Sequence, residues 1–523
     1  MKNKILLKAY NFKGTIILTI MIISYIFSVG LLSILYHLNY WTQAFDLGIF
    51  DQAIWLASKF QNLFITVRGL NKFGDHFDPI IYFLGLFYWI WDDVNIMLIL
   101  HTLFIASGVI PIYLTAREKL KSEFFALAIS FAYLCYPALI NQNLDVIHPE
   151  AFGMTFIIYS FYFALKKKFI PFYVLSFLAL ICKEDIAITY FFVGIYLFLK
   201  VDKKAGLITS IFSIIYLFLC MKVIIPFFTE SDFFRFRAGW FSEFYSNKYN
   251  IQWYLKVVFK EETFIYLLHL LIPVLFISIF DLPILLIAFP AFMVNVLSNV
   301  GYLRSIDYHY NTSIIPFIFY STTLGFANIL KFVGIKQNKS QLSVDDLFLF
   351  KKIVNRNIKF DISYKILYFS KRFFVYFLFT IFLVTVYISN NLLLSKSSIN
   401  NINNTKNSLF RYITDKKQKP STVNRAIKLI PKDASVSADY TILPHVSHRK
   451  KIYMFPNPFI ECNWGINGEK QHSTNDIEYI LVDERIISYE QKAYLTNLIA
   501  NNEFEKIYND ELNQILLLKR IKK

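Results

Sequence analysis

Residues 14–36, GTIILTIMIISYIFSVGLLSILY, carry no charged side chain and are long enough to cross a hydrocarbon core of roughly 30 Å as one helix. Directly after them, residues 41–52, WTQAFDLGIFDQ, bring Asp46 and Asp51 to the edge of the membrane. Ionisable groups held at such an edge mark working sites more often than packing elements. Lys2, Lys4, Lys8 and Lys13 precede the apolar run and put the N-terminus in the cytoplasm by the positive-inside rule, so the Asp46 loop is expected outside. The run is too long for a secretory signal and lacks a small-residue cleavage site, so it reads as a retained anchor.

Composition agrees with a polytopic membrane protein. The 523 residues are 56% hydrophobic, 19% aromatic and only 17% charged, with mean hydropathy +0.44; soluble domains carry about 25% charged residues. The formal net charge of +17 is spread over short loops between apolar runs, with no basic stripe on a soluble element, so nucleic acid is excluded as a partner. Cys135, Cys182 and Cys220 lie in or beside apolar runs and Cys462 stands alone in a polar tail, which gives neither a disulfide framework nor a cysteine zinc site.

Walking the loops gives direction to each run. Residues 79–91 are apolar but short and end at Trp91-Asp92-Asp93, which fits an interfacial or re-entrant helix. Further spans are expected near 94–115 and 123–140, then one returning to Lys166-Lys167-Lys168, one rising to Cys182-Lys183-Glu184-Asp185 and one descending to Lys200, Lys203 and Lys204. A seventh near 205–226 opens a loop with Asp232, Arg235 and Arg237. Spans near 264–280 and 282–299 are expected to form a hairpin turning at Asp281 and Leu282-Pro283, followed by spans near 313–332 and 373–391. The expected fold is therefore an α-helical polytopic membrane protein of about eleven transmembrane helices, residues 1–391 with an outer loop at 37–93. A linker at 392–420, rich in Ser, Asn and Lys from Ser395 to Lys406, leads to a C-terminal α/β domain at 421–523, expected outside the membrane with its own core. Strands are expected around 434–438, 451–455 and 477–482, and helices at 421–429 and 488–500.

Four charged clusters fall on the outer face under this topology. They are Asp46/Asp51 with His76/Asp78, Asp145/His148/Glu150, Lys183/Glu184/Asp185, and Arg304/Asp307/His309. Asp46 reads either as a cap for a helix over 47–57 or as a general base made basic by an apolar wall. Pro149 and Glu150 suit the first turn of a helix, but His148 and Asp145 are left over, and imidazole with carboxylates from different loops can bind a divalent cation. Lys183, Glu184 and Asp185 have so little polar sequence around them that they either neutralise one another or face a cavity, where the lysine would meet a phosphate. Arg304, His309 and Arg68 add groups suited to phosphate or pyrophosphate.

Several of these stretches resemble a known family. FDLGIFDQAIW at 45–55, HFDPI at 76–80, PIYLTAR at 111–117, HPEAF at 148–152, KED at 183–185, YHYNT at 308–312 and IPKDASVSADYTILPHVSHRKKIYMFP at 430–456 resemble the membrane-protein family called domain of unknown function 2079. That family looks related to the GT-C glycosyltransferases, multi-span enzymes using polyprenyl-phosphate sugars with an acidic residue in the first outer loop. The resemblance implies a cell-membrane enzyme that moves a sugar from a polyprenyl-phosphate donor to an extracytoplasmic glycan, lipid or protein acceptor, with Asp46 as catalytic carboxylate and Asp51 as its alternate. Donor phosphate would be bound by Lys183, Arg304 and Arg68, with His76, His148, Glu150, Glu184, Asp185 and His309 around it. No Asp-Asp or Asp-x-Asp pair occurs early in the first loop, Asp92-Asp93 coming only later, so a magnesium or manganese ion would have to use Asp46, His76, Asp145 and His148. Competing readings are a transporter or flippase of lipid-linked sugars and a noncatalytic envelope assembly protein.

Overall fold

The computed structural model describes residues 2–229, 239–332, 416, 418–460 and 473–521. The expected span at 373–391, nearly all of the linker, Cys462 and the loop residues Asp232, Arg235 and Arg237 lie outside the described residues.

The first apolar run forms helix α1, Lys13–Leu38, whose Ile16, Ile20, Ile23 and Phe27 stay exposed, as lipid-facing side chains do. The loop after it carries α2, Ile49–Ser58, a hairpin of β1, Phe64–Ile65, with β2, Leu70–Asn71, and the short α3, Ile80–Trp89. Then come α4, Asn95–Leu120, and the pair α5, Glu123–Leu134, and α6, Pro137–Leu144, bent by 42° where Pro137 opens the second helix. Helices α7, Pro149–Leu165, α8, Phe169–Leu180, α9, Ile186–Lys200, and α10, Lys203–Phe228, follow. Gly206 lies so close to α9 that an added Cβ would meet the Phe198 amide nitrogen at 2.2 Å, the close backbone approach that small residues permit in membranes.

Beyond α10 lie α11, Ser242–Asn247, α12, Ile251–Val258, α13, Glu261–Leu271, α14, Ile277–Leu297, and α15, Ile315–Phe332. The turn expected at Asp281 lies elsewhere. Pro273 cannot donate a backbone bond, Leu275 and Phe276 take φ of 50° and 55°, and the chain breaks there first, while Asp281, itself non-helical at φ −135° and ψ 71°, caps the helix that begins at Leu282 by accepting from the Ile284 amide. Among the described residues, α1, α4, α10 and α14 are each long and apolar enough to span a membrane, and the bent α5–α6 pair qualifies as a fifth.

The C-terminal part is a five-stranded mixed sheet. Its strands are β3, Val436–Ala438, β4, Ile452–Met454, β5, Tyr479–Asp483, β6, Phe504–Asp510, and β7, Ile515–Arg520, in the order β4-β3-β5-β7-β6. The first three run parallel and the last two antiparallel. Helices α16, Pro420–Lys428, and α17, Tyr489–Ala500, accompany it. Period-two alternation splits the sheet's side chains between two cores. Ile480, Val482, Leu516 and Leu518 pack with Leu495 and Leu498 of α17, while Tyr479, Leu481, Ile515 and Leu517 join the same continuous core as the helical bundle. The tail thus has a core of its own on one face of the sheet, while the core on its other face is continuous with that of the helical bundle.

Candidate functional site

Asp46 sits where the chain between α1 and α2 is forced out of helix. Its φ of 64° and ψ of −80° lie in a region that side-chain-bearing residues seldom occupy, at a cost of about 1–3 kcal/mol. The surroundings hold it there. The Ala44 amide donates to the Tyr440 carbonyl at 2.8 Å, the Tyr440 hydroxyl donates to Gln43 at 2.8 Å, and Gly48 is pressed against Leu443. Asp46 does not cap α2, whose first turn follows Gly48 without a side-chain cap bond. Its carboxylate is left half exposed and faces His148 Nε2 at 3.6 Å. Partial enclosure pushes its pKa up, but His148 and His309 outweigh that and hold it below the ordinary value. Its electrostatics are therefore set by the histidines and not by the apolar wall expected from sequence.

His148 precedes α7, with Pro149 at the helix's first position and Glu150 in its first turn. The loop feeding it is bent at Val146, whose φ of 60° is an outlier for a β-branched residue. The His148 ring stacks on that of His309, centroids 3.6 Å apart. His309 is gripped from both sides: Asp145 Oδ2 accepts from its backbone amide at 2.9 Å and meets its Nδ1 at 2.8 Å, and Glu150 Oε1 lies 3.3 Å from its Nε2. Burial lowers the affinity of His148 for a proton, and the contact with Asp46 and the charges of Asp145 and Glu150 overcome it, raising the pKa to about 9.

Lys183, in the turn between α8 and α9, donates to the same Glu150 Oε1 at 2.7 Å and lies 3.7 Å from Asp185. Burial works against its charge, but those carboxylates more than compensate and keep it protonated. Glu184 points the other way, accepting from the Phe77 amide at 3.1 Å and pairing with His76 at 2.9 Å. This strap of the first loop is fixed further by the buried Lys72–Asp78 pair at 2.6 Å. Lys183 and Asp185 also form the polar end of a cavity of about 370 Å³ whose other walls include Leu217, Trp240, Phe244, Val294 and Tyr310. Charged groups beside apolar and aromatic walls suit an amphiphile with a charged head.

The expected clusters are thus sorted. Asp46, Asp145, His148, Glu150, Lys183, Asp185 and His309 form one chain of contacts, and Glu184 with His76 adjoins it. Arg304 is used otherwise, donating to the Val296 and Ser298 carbonyls at 3.1 and 2.8 Å at the end of α14. Arg68 is buried in the turn between β1 and β2.

Asp51 belongs to a second group, at the joint with the tail. Completely buried, it accepts from Tyr88 and Ser447 and meets His448 Nε2 at 3.1 Å, while the other His448 nitrogen lies 2.8 Å from Asp92. Burial lowers the proton affinity of His448, but Asp51 and Asp92 override it and raise the pKa to about 9. Gln52 and Thr66 extend the joint, Thr66 donating to the Ile452 carbonyl at 2.6 Å and Gln52 to the Arg449 carbonyl at 3.3 Å. Sequence reasoning missed His448, Ser447 and Tyr88. The clue present in sequence was the pair His445 and His448 within the tail segment resembling the family.

ArnT from Cupriavidus metallidurans in the apo state superposes with a TM-score of 0.51 at 10% identity, covering 95% of this chain and 98% of that one. The same protein bound to undecaprenyl phosphate aligns with a TM-score of 0.48 at 10% identity, covering 96% and 98%. No curated protein matches the chain. The apo likeness shows the fold, a helical bundle with a small sheet domain. The family described as predicted membrane protein, DUF2079, matches residues 35–515, and the chain belongs to that family.

Proposed function

We propose that this protein is a membrane glycosyltransferase that moves a sugar from a polyprenyl-phosphate donor to an extracytoplasmic acceptor, a glycan, lipid or protein. In this reading the N-terminus is cytoplasmic, and the Asp46 end of the bundle and the tail domain lie outside the cell membrane. The observation that carries it is the junction of Asp46, on a strained turn, with Lys183 at the head of an apolar cavity, linked through His148, His309 and Glu150. The GT-C fold supports the same class. The lipid carrier would lie along Trp240, Phe244 and Val294 within the surrounding membrane lipid, its phosphate at Lys183.

The reaction is a displacement at the anomeric carbon. The acceptor hydroxyl attacks as its proton passes to Asp46, the bond from carbon to phosphate oxygen breaks, and polyprenyl phosphate leaves with the electron pair. Lys183 meets the charge that grows on the leaving oxygen. Asp46 is anionic at neutral pH and so ready to receive the proton. Arg304 and Arg68 have no step in this scheme, and Asp51 is assigned to the joint.

The test uses purified protein in sealed proteoliposomes with radiolabelled polyprenyl-phosphate sugars and candidate acceptors. Labelled acceptor together with released polyprenyl phosphate supports transfer. Intact donor appearing in the opposite leaflet would replace this reading with a flippase, and neither product with any donor would favour an assembly protein.

A further inference from the structure

We propose that Asp145, His148 and His309 bind a divalent metal ion of borderline softness, zinc before magnesium, beside Asp46. Their donor atoms already lie within 4.8 Å of one another. A tetrahedral ion with bonds of roughly 2.0–2.1 Å holds its ligands about 3.3 Å apart, so loading requires side-chain adjustment and no change of backbone.

An independent observation points to a missing ligand. His148 is 1% exposed, yet among the described residues neither of its ring nitrogens has a hydrogen-bond partner, and the 3.6 Å to Asp46 is too long for one. A buried imidazole left in that state is destabilising unless something fills the place. The local charge agrees. The carboxylates of Asp46, Asp145 and Glu150 converge here on His148, His309 and Lys183, and a metal ion would take the place of the proton that His148 otherwise carries.

The orientation of His309 suits a ligand. Its Nδ1 lies 2.8 Å from Asp145, and Glu150 Oε1 stands 3.3 Å from Nε2, the side where carboxylates stand behind metal-bound histidines. Two imidazoles and one carboxylate with an open fourth position match zinc or manganese chemistry; magnesium prefers oxygen ligands and water. Asp46 stands 3.6 Å from His148 Nε2, so an ion held by these residues would be next to it and could bind a phosphate or acceptor oxygen there. His76, expected among the ligands from sequence, is held instead by Glu184. Binding of the ion does not depend on sugar transfer, so the two proposals fail separately.

Purified protein is exposed to zinc in excess magnesium, dialysed and assayed by elemental mass spectrometry, alongside His148→Ala, His309→Ala and the control His76→Ala. The expected result is about one zinc per chain in wild type and His76→Ala and less than about a tenth in the other two, with Asp145→Asn weakening affinity about 10- to 100-fold. Wild type retaining less than about a tenth of an equivalent, or a His148/His309 double variant retaining all of it, overturns the proposal. If the variants do not fold, X-ray absorption on zinc-loaded wild type decides: scattering from two imidazoles is expected, and its absence is fatal.

Discussion

Asp46 and Lys183 carry the chemistry for different physical reasons. Asp46 is poised by backbone strain, and its charge is stabilised by the histidine facing it. Lys183 is held by Glu150, a carboxylate whose side chain is only 6% exposed. Changing Lys183→Met therefore leaves a buried charge short of its partner, and stability should fall by roughly 3–5 kcal/mol. Adding Glu150→Gln should restore most of that loss, while donor binding stays lost in both variants. Unfolding in mixed micelles reads the first effect and a donor-binding isotherm the second; a Lys183→Met protein as stable as wild type contradicts the pairing. Arg304 is predicted to behave otherwise. Arg304→Gln loosens the end of α14, lowering stability by about 1–3 kcal/mol without changing the affinity for lipid phosphate.

The loop from α1 to α2 works as an element because the tail domain grips it. Tyr440 and Leu443 touch residues 43–48, and Asp51 inserts between Ser447 and His448. Tyr440→Phe removes one hydrogen bond, worth about 0.5–1.5 kcal/mol, so kcat should fall about 2- to 10-fold at constant KM. An equal change in KM would mean that the tyrosine binds substrate and does not position Asp46. The joint should also respond to alkali. The pKa of His448 is raised from 6.5 to about 9, so its contribution is complete below about 6.5 and is lost as pH rises through about 9, a change of about 3 kcal/mol at most. Asp51 is shifted down, burial being outweighed by His448, Ser447 and Tyr88, so its share is present above its ordinary 3.8 and lost only in stronger acid. Protease accessibility of the tail should therefore rise between pH 7 and pH 9.5, and His448→Gln should flatten that profile. Most helices in the first 230 residues were legible, because long apolar runs report the hydrocarbon directly. The break at Pro273–Phe276 was not, since a run such as LLIPVLFISIF keeps its hydropathy through a backbone kink.

The molecule as a whole is a bundle and a sheet domain that share a core. Produced alone, residues 418–521 would expose Leu443 and His445, which pack on Gly48, Tyr40 and His37, so they should aggregate or bind hydrophobic dye; a soluble, sharply melting monomer contradicts the shared core. Three strands of the sheet could be read from β-branched and aromatic alternation. The edge strand β6, FEKIYND, with four polar side chains and exposed positions, and its partner β7 could not, because their pairing is settled by contact with β5. The site was legible in part for a similar reason. Asp46, His148, Lys183 and His309 stand out as charges between apolar runs, whereas the union of Asp51 with His448, nearly four hundred residues apart, exists only after folding. The central claim is that Asp46 is the base of a glycosyl transfer. The direct measurement is the single-turnover rate of sugar transfer from a polyprenyl-phosphate donor by wild type and Asp46→Asn, each saturated with donor and matched for stability. Loss of about 100- to 10,000-fold with donor affinity retained is the predicted result; an Asp46→Asn rate within about threefold of wild type would contradict it.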